Sequence, residues 1–279
     1  MKYMGSKARI VHEILPIMLD KEHDTFVDAF CGGCSVIENV PDTYRRIAND
    51  KNRYLIEMWK HLQNDGFVFN HISKTLYNFA RDCYHGKNNY FTEAGVGLIG
   101  FMASFNGRFF DGGYSGHNVV GKNGKARDYI REQIENTMRD IPLLKGVEFY
   151  SGSYDELVIP DRSIVYCDIP YKATKKYDVS KNFDYESFYV WCMEMARRGH
   201  KVFISEYQMP QEFRCVWEKE ATNSLNPNIT KRPVERLFTI DYNWDERNLL
   251  LRRCALQYKA LLHVGEWSSI RNRTCTRRL

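Results

Sequence analysis

Four short apolar runs, three of them ending on an acidic residue, constrain this chain more than any other feature. Thr25-Phe-Val-Asp-Ala-Phe30, Arg46-Ile-Ala-Asn-Asp50, Ser163-Ile-Val-Tyr-Cys-Asp168 and Lys201-Val-Phe-Ile-Ser-Glu206 read as buried strands. Helical spacing appears around them, in Ile10, Ile14 and Met18, in Leu55, Met58, Trp59 and Leu62, and in Ile130, Ile134 and Met138. A further helix is predicted from Asp184 as N-cap, through Phe188, Trp191 and Met195, to Gly199 just past its end. Apolar strands alternating with helices imply an α/β fold, with a mostly parallel sheet covered on both faces. Ligands of such sheets bind at the carboxyl ends of the strands, where these acids lie.

Composition narrows the class. At 279 residues, 43% hydrophobic and 27% charged, the chain is globular, with room for one sizeable catalytic domain and an insert. No run approaches the ~20 apolar residues of a membrane span, and the N-terminal apolar stretch is interrupted by Glu13 with no small-residue cleavage site after it. A cytoplasmic protein without a membrane partner is expected. The eight cysteines are scattered, as suits reduced thiols. Cys31-Gly-Gly-Cys34 is the one CxxC, with no second pair or histidine pair to complete a zinc site, so no metal is expected. The net charge of +5 sits wholly in residues 244–279, where eight Lys/Arg face three Asp/Glu; the other 243 residues balance at 32 of each sign. Bulk charge therefore does not mark the catalytic body. The oligomeric state expected is a monomer or a weak dimer.

The middle of the chain differs from its flanks. Residues 86–126 are rich in Gly, Asn and aromatic residues with little regular period, and residues 106–131 carry five Lys/Arg against two Asp. The expected organisation is a catalytic domain from residues 1–57 and 146–243, an inserted helical and hairpin subdomain at 58–145, and a basic tail at 244–279 with a helix through 246–262.

The chemistry concentrates at three strand ends. Phe26-Val-Asp-Ala-Phe-Cys-Gly-Gly-Cys-Ser35 runs from a strand into a glycine turn, where the backbone approaches a ligand closely. Asp50 follows Gly32 by 18 residues, at the end of the next strand, placed to accept ribose hydroxyls. GxGxxG is absent, so a nucleoside fits better than a dinucleotide. Asp168-Ile169-Pro170-Tyr171 ends the third strand. Methylating an exocyclic amine requires its lone pair to be freed from the ring. The Asp168 carboxylate and Ile169 carbonyl form an acceptor pair for the two amino hydrogens. Pro170 biases Ile169 to an extended shape, and Tyr171 is suited to stack on a base flipped from a duplex.

In these segments the chain resembles the Dam-type, D12 class adenine-N6 DNA methyltransferases over roughly residues 1–243. Tyr3-Met-Gly-Ser-Lys7, Phe26–Ser35, Asn49-Asp-Lys-Asn52 and Asp168–Tyr171 are similar to the family's N-terminal cofactor, glycine-rich, ribose-binding and catalytic motifs. The resemblance implies the Rossmann-like sheet of class I S-adenosylmethionine-dependent methyltransferases, S-adenosylmethionine as cofactor and double-stranded DNA as partner. It implies Tyr3 and Lys7 at the cofactor's methionine end, Asp28, Phe30, Gly32, Gly33 and Ser35 in the glycine turn, Asp50 at the ribose and Asp168 beside the methyl group. Ser153 and Tyr154 fall where the family contacts the cofactor's adenine, often through an Asp-Phe pair. The family's target-recognition hairpin corresponds to the insert, giving Asn106, Arg108, Tyr114, Lys122, Lys125 and Arg127 as DNA-contacting candidates. Arg108 there suits either a phosphate or a guanine edge. Ile169 stands where the family usually has proline; the carbonyl survives and some rigidity is lost.

Three other outcomes stay open on sequence: a catalytically silent DNA-binding protein of the same fold, transfer to cytosine N4, and transfer to RNA. Cytosine C5 chemistry is excluded, because no Pro-Cys pair is present to supply the thiolate.

Overall fold

The computed structural model describes residues 1–66, 69–120, 124–172, 182–220, 233–240, 252, 253 and 256. Strands β1 (Thr25–Asp28), β2 (Arg45–Asp50), β3 (Val119–Val120), β4 (Ala126–Arg127), β5 (Glu148–Ser151), β6 (Ser163–Asp168), β7 (Lys201–Glu206), β8 (Phe213–Glu220) and β9 (Val234–Ile240) alternate with helices α1 (Val11–Met18), α2 (Arg53–Asn64), α3 (Lys74–Tyr84), α4 (Glu93–Ala103), α5 (Tyr129–Asp140) and α6 (Tyr185–Arg197). Seven strands form one sheet in the order β5-β2-β1-β6-β7-β9-β8. The first five are parallel, while β9 runs antiparallel to both β7 and β8. The remaining two make a small antiparallel hairpin. The expected mostly parallel α/β sheet is what the chain builds.

Alternate residues of each strand point to opposite faces, and each face has its own core. Phe26, Ala48, Ile164, Tyr166 and Phe203 pack with α1, α2, α4 and α5 on one side. Val27, Ile47, Val165, Cys167 and Ile204 pack with Phe188, Cys192 and Met195 of α6 on the other. The α6 helix starts as expected: Asp184 accepts the N–H groups of Glu186 at 3.1 Å and Ser187 at 3.2 Å. Gly199, at φ +87°, lies past its C-cap.

The stretch 86–126, whose sequence shows little regular period, contains α4. Every residue from Val96 to Ala103 is buried, so the helix has no polar face and no amphipathic period to betray it. Gly97 lets α4 lie against α2, since a Cβ there would sit 2.0 Å from the Tyr54 carbonyl oxygen. Residues of the expected insert, among them Ile72, Leu98, Phe101 and Ile130, share one apolar cluster with the sheet. In the tail, Arg252, Arg253 and Leu256 are helical, and Arg252 pairs with Glu186 at 2.6 Å and Glu212 at 2.9 Å. The rest of the tail and Lys122 lie outside the described residues.

The chain order reverses between β1 and β6: β2 and β5 extend the sheet one way, β6 and β7 the other. Ligands of open α/β sheets bind at that reversal, outside the carboxyl ends. Asp28, Asp50, Asp168 and Glu206 terminate four adjacent strands there.

Candidate active site

Beyond β1 the backbone turns back on itself, with Gly32 at φ +46° and Cys34 at φ +62°. Three bonds pin this turn to its neighbours. The Gly32 N–H donates to Asp50 Oδ2 at 3.1 Å, the Trp59 indole N–H donates to the Gly32 carbonyl at 3.1 Å, and the Cys31 N–H donates to the Asn49 carbonyl at 2.8 Å. Asn49 also ties the turn to the loop after β5, donating to the Ala29 and Gly152 carbonyls at 3.1 Å each. Asp50 accepts the Asn52 N–H at 2.8 Å through Oδ1. Each of its oxygens keeps a second lone pair, the acceptors a vicinal diol needs.

The N-terminal segment lies across the glycine turn. A Cβ on Gly32 would stand 2.6 Å from Tyr3 Cε1, and one on Gly33 would stand 2.5 Å from Tyr3 Cβ. The Lys7 N–H donates to Ser35 Oγ at 3.0 Å. The Lys7 side chain, itself only 6% exposed, reaches across to the end of β6. Its Nζ lies 2.8 Å from Asp168 Oδ1, 3.0 Å from the Gly5 carbonyl and 4.9 Å from the Tyr171 ring centroid. Tyr3, Lys7, Asp28, Gly32, Gly33, Ser35, Asp50 and Asp168 are thus brought to one edge of the sheet.

The motif from Asp168 to Tyr171 is held on several sides. Ile169 is buried in the α6 core. The Tyr185 hydroxyl donates to the Pro170 carbonyl at 2.7 Å, and Glu206 Oε2 accepts the Lys172 N–H at 2.8 Å. Tyr171 is buried, its hydroxyl donating to Glu235 Oε2 at 2.6 Å and its ring meeting Tyr207 edge-on at 4.6 Å. The rigidity that a proline at 169 would give is supplied here by tertiary contacts.

Carboxylates dominate the electrostatics. Burial pushes the Asp168 carboxyl above its ordinary value and Glu235 adds to that, while the Lys7 ammonium pulls it back. Burial also pushes up Asp28, reinforced by the Asp168 charge, and Asp50. Asp28 is 2% exposed, and its Oδ1 has no hydrogen-bond partner among the described residues. An orphaned buried acceptor beside a glycine turn, facing further carboxylates, fits a ligand that brings a cation and donors. S-adenosylmethionine carries both a sulfonium and an ammonium, so the residues present fit it.

Phe30 and Tyr154 stack at 5.5 Å within a ring cluster completed by Phe183 and Phe188. Ser153 lies beside them with its N–H on Glu156 Oε2 at 3.2 Å.

The insert's candidates divide. Asn106 is exposed at φ +54°, and the turn it belongs to touches the N-terminal motif, since a Cβ on Gly107 would lie 2.2 Å from the Lys2 carbonyl oxygen. Gln133 of α5 brackets the same residue, accepting the Lys2 N–H at 3.1 Å and donating to its carbonyl at 2.9 Å. Arg108 pairs with Asp111. Tyr114 spends its hydroxyl on the Ile72 carbonyl at 2.6 Å. Lys125 and Arg127 are exposed on the small hairpin, where Arg127 bonds Glu132 at 2.9 Å. Among the described residues no cluster of three His, Cys, Asp or Glu could hold a metal, and no helix is long and apolar enough to cross a membrane.

The family model for D12 class N6 adenine-specific DNA methyltransferases matches residues 3–227. The chain belongs to that family. The match spans all the motifs gathered at the sheet edge, from Tyr3 to Tyr171 and on through β7. No curated protein matches the chain. Among solved structures it is similar to the crystal structure of SMU.472 complexed with SAH, at 13% identity and a TM-score of 0.36. The likeness covers 86% of this chain and 54% of that one, so the chain spans about half the length of its structural neighbour.

Several contacts at the family's motifs escaped sequence reading. Glu206 was visible only as an acid ending a strand. Tyr185 lies in the expected helix after Asp184, with nothing to single out one polar residue, and Glu235 lies on β9, a strand that the sequence pattern does not mark. Asn49 sits beside Asp50 in the ribose motif, and its role as a clasp between two loops depends on the register of β2 with β1 and β5.

Proposed function

We propose that this protein transfers a methyl group from S-adenosylmethionine to the N6 amino group of an adenine flipped out of duplex DNA, at a specific sequence. One observation carries the proposal: the Asp168–Tyr171 turn sits at the sheet's reversal point, its carboxylate beside the Lys7 ammonium, within a family of adenine methyltransferases. The cofactor supplies an activated methyl, the new N–C bond forming from the N6 lone pair as the C–S bond breaks with its electrons kept on sulfur. Asp168 and the Ile169 carbonyl accept the two amino hydrogens and so free that lone pair. The surplus proton leaves N6 along its bond to Asp168. Tyr171 stacks on the extrahelical base. Orientation and preorganised acceptors provide the acceleration.

Asp28, Asp50 and the glycine turn would hold the cofactor, with Tyr3 and Lys7 at its methionine end. Phe30 and Tyr154 offer an aromatic wall near its adenine. Asn106, Arg108, Lys125 and Arg127 meet the duplex, with Tyr114 bracing the insert. A cytoplasmic setting suits the six free thiols of the described residues, four of them buried.

The test is transfer of labelled methyl from S-adenosylmethionine to unmethylated duplex DNA, followed by nucleoside analysis. Label in N6-methyladenine is expected, and Asp168→Ala should abolish it while the protein stays folded. Label in N4-methylcytosine would move the target base. No label from a protein that binds the cofactor would refute the proposed activity.

A further inference from the structure

Tyr171 is held from β9, which lies beyond the residues 3–227 that the family model matches. Its hydroxyl donates to Glu235 Oε2 at 2.6 Å, a charge-assisted bond across 64 residues of chain. Glu235 lies on β9, next to Arg236, whose Cα is in register with that of Glu206 in the β7–β9 ladder. Arg236 in turn donates to the Tyr207 carbonyl at 2.6 Å, and the Tyr207 ring abuts Tyr171 at 4.6 Å. Two successive residues of β9 therefore hold the Tyr171 hydroxyl and the Tyr207 backbone, whose rings touch each other. The backbone of the motif has separate anchors in Tyr185 and Glu206. What Glu235 adds is a fixed far end for the Tyr171 ring. With its hydroxyl secured, the long axis of the ring is fixed before a base stacks on it, and the edge-on Tyr207 ring at 4.6 Å limits rotation about that axis.

We propose that Glu235 is a positioning residue for methyl transfer, acting through the Tyr171 hydroxyl to hold the stacking ring in its productive orientation. The proposal rests on Tyr171 being the stacking partner of the target base. Glu235 touches neither base nor cofactor in this scheme. Its charge also pushes up the Asp168 carboxyl, so the test must separate orientation from charge.

Single-turnover transfer at saturating cofactor and DNA is measured for Glu235→Ala, Glu235→Gln, Tyr171→Phe and the Glu235→Ala/Tyr171→Phe double variant, with cofactor affinity and thermal unfolding recorded for each. If Glu235 acts through the hydroxyl, Glu235→Ala and Tyr171→Phe each slow transfer about tenfold, a typical consequence of loosened positioning. The double variant is then no slower than either single one. Glu235→Gln keeps an acceptor and should stay within about twofold of the unaltered protein, and cofactor affinity should hold throughout. Losses that multiply to about a hundredfold in the double variant would overturn the proposal. So would a Glu235→Gln rate as low as that of Glu235→Ala, which would mean that charge is what counts. Should Glu235→Ala fail to fold, Tyr171→Phe breaks the same bond from the other end, and an unchanged rate there overturns the proposal. Tyr171→Ala tests the underlying assumption separately. Full transfer by that variant removes the stacking role itself, whereas its loss alongside normal Glu235 variants removes only Glu235.

Discussion

Replacing Lys7 with methionine should shift the acid limb of the pH profile of transfer to higher pH. In the folded protein the Lys7 ammonium stands 2.8 Å from Asp168 Oδ1, with side-chain exposures of 6% and 22%. With an effective dielectric constant of about 20, the attraction at that distance is roughly 6 kcal/mol. Desolvation of both ions offsets part of it, and removing one partner of a buried pair costs about 3–5 kcal/mol. If about 3 kcal/mol of this falls on the ionised form of Asp168, its protonation equilibrium moves about a hundredfold. The direction follows from the site: burial and Glu235 already push this carboxyl up, and Lys7 opposes them. Without the ammonium the carboxyl rises further, and less of it is ionised at any given pH. Because kcat/KM reports the free enzyme, its acid limb for the cofactor should move up by about two pH units, with recovery on the alkaline side. Lys7 is also proposed to lie at the cofactor's methionine end, so some uniform loss is expected at every pH. The position of the limb separates the two roles. A limb that stays in place while activity falls equally across the range would show that Lys7 does not maintain the charge of Asp168.

Two further outcomes are expected. Asp50→Ala should weaken cofactor binding by about tenfold or more while duplex affinity holds, since Asp50 secures the Gly32 N–H and is proposed to bind the ribose; DNA affinity falling first in equilibrium titrations would contradict that proposal. Gly32→Ala forces an L side chain to φ +46° and sets its Cβ 2.6 Å from the Tyr3 ring, at a cost of about 1–2 kcal/mol for the backbone alone. A lower melting temperature and weaker cofactor binding should result, and an unchanged melting curve would refute the close approach of Tyr3.

Much of this protein can be read from its sequence because the features concerned are local. Buried strands ending in acids, the Asp184 cap, the glycine turn and the Asp168–Tyr171 segment each occupy a few consecutive residues, and backbone geometry makes their consequences nearly independent of distant chain. Their convergence also follows, since parallel strands joined by helices put their carboxyl ends on one edge. Other features belonged to the tertiary structure alone. Helix α4 is apolar on every side, so periodicity, which detects a boundary between core and water, had no contrast to detect. The outer strands β8 and β9 were equally hidden: β8 faces water along much of its length, and its pattern is mixed. The pairing of Lys7 with Asp168, the burial of Tyr171 and its bond to Glu235 join residues 161 and 64 positions apart. A sequence states which side chains carry charge and which hydroxyls can donate. Which of them meet at hydrogen-bonding distance is decided by strand register and loop path, and those are settled by burial of the two cores as wholes.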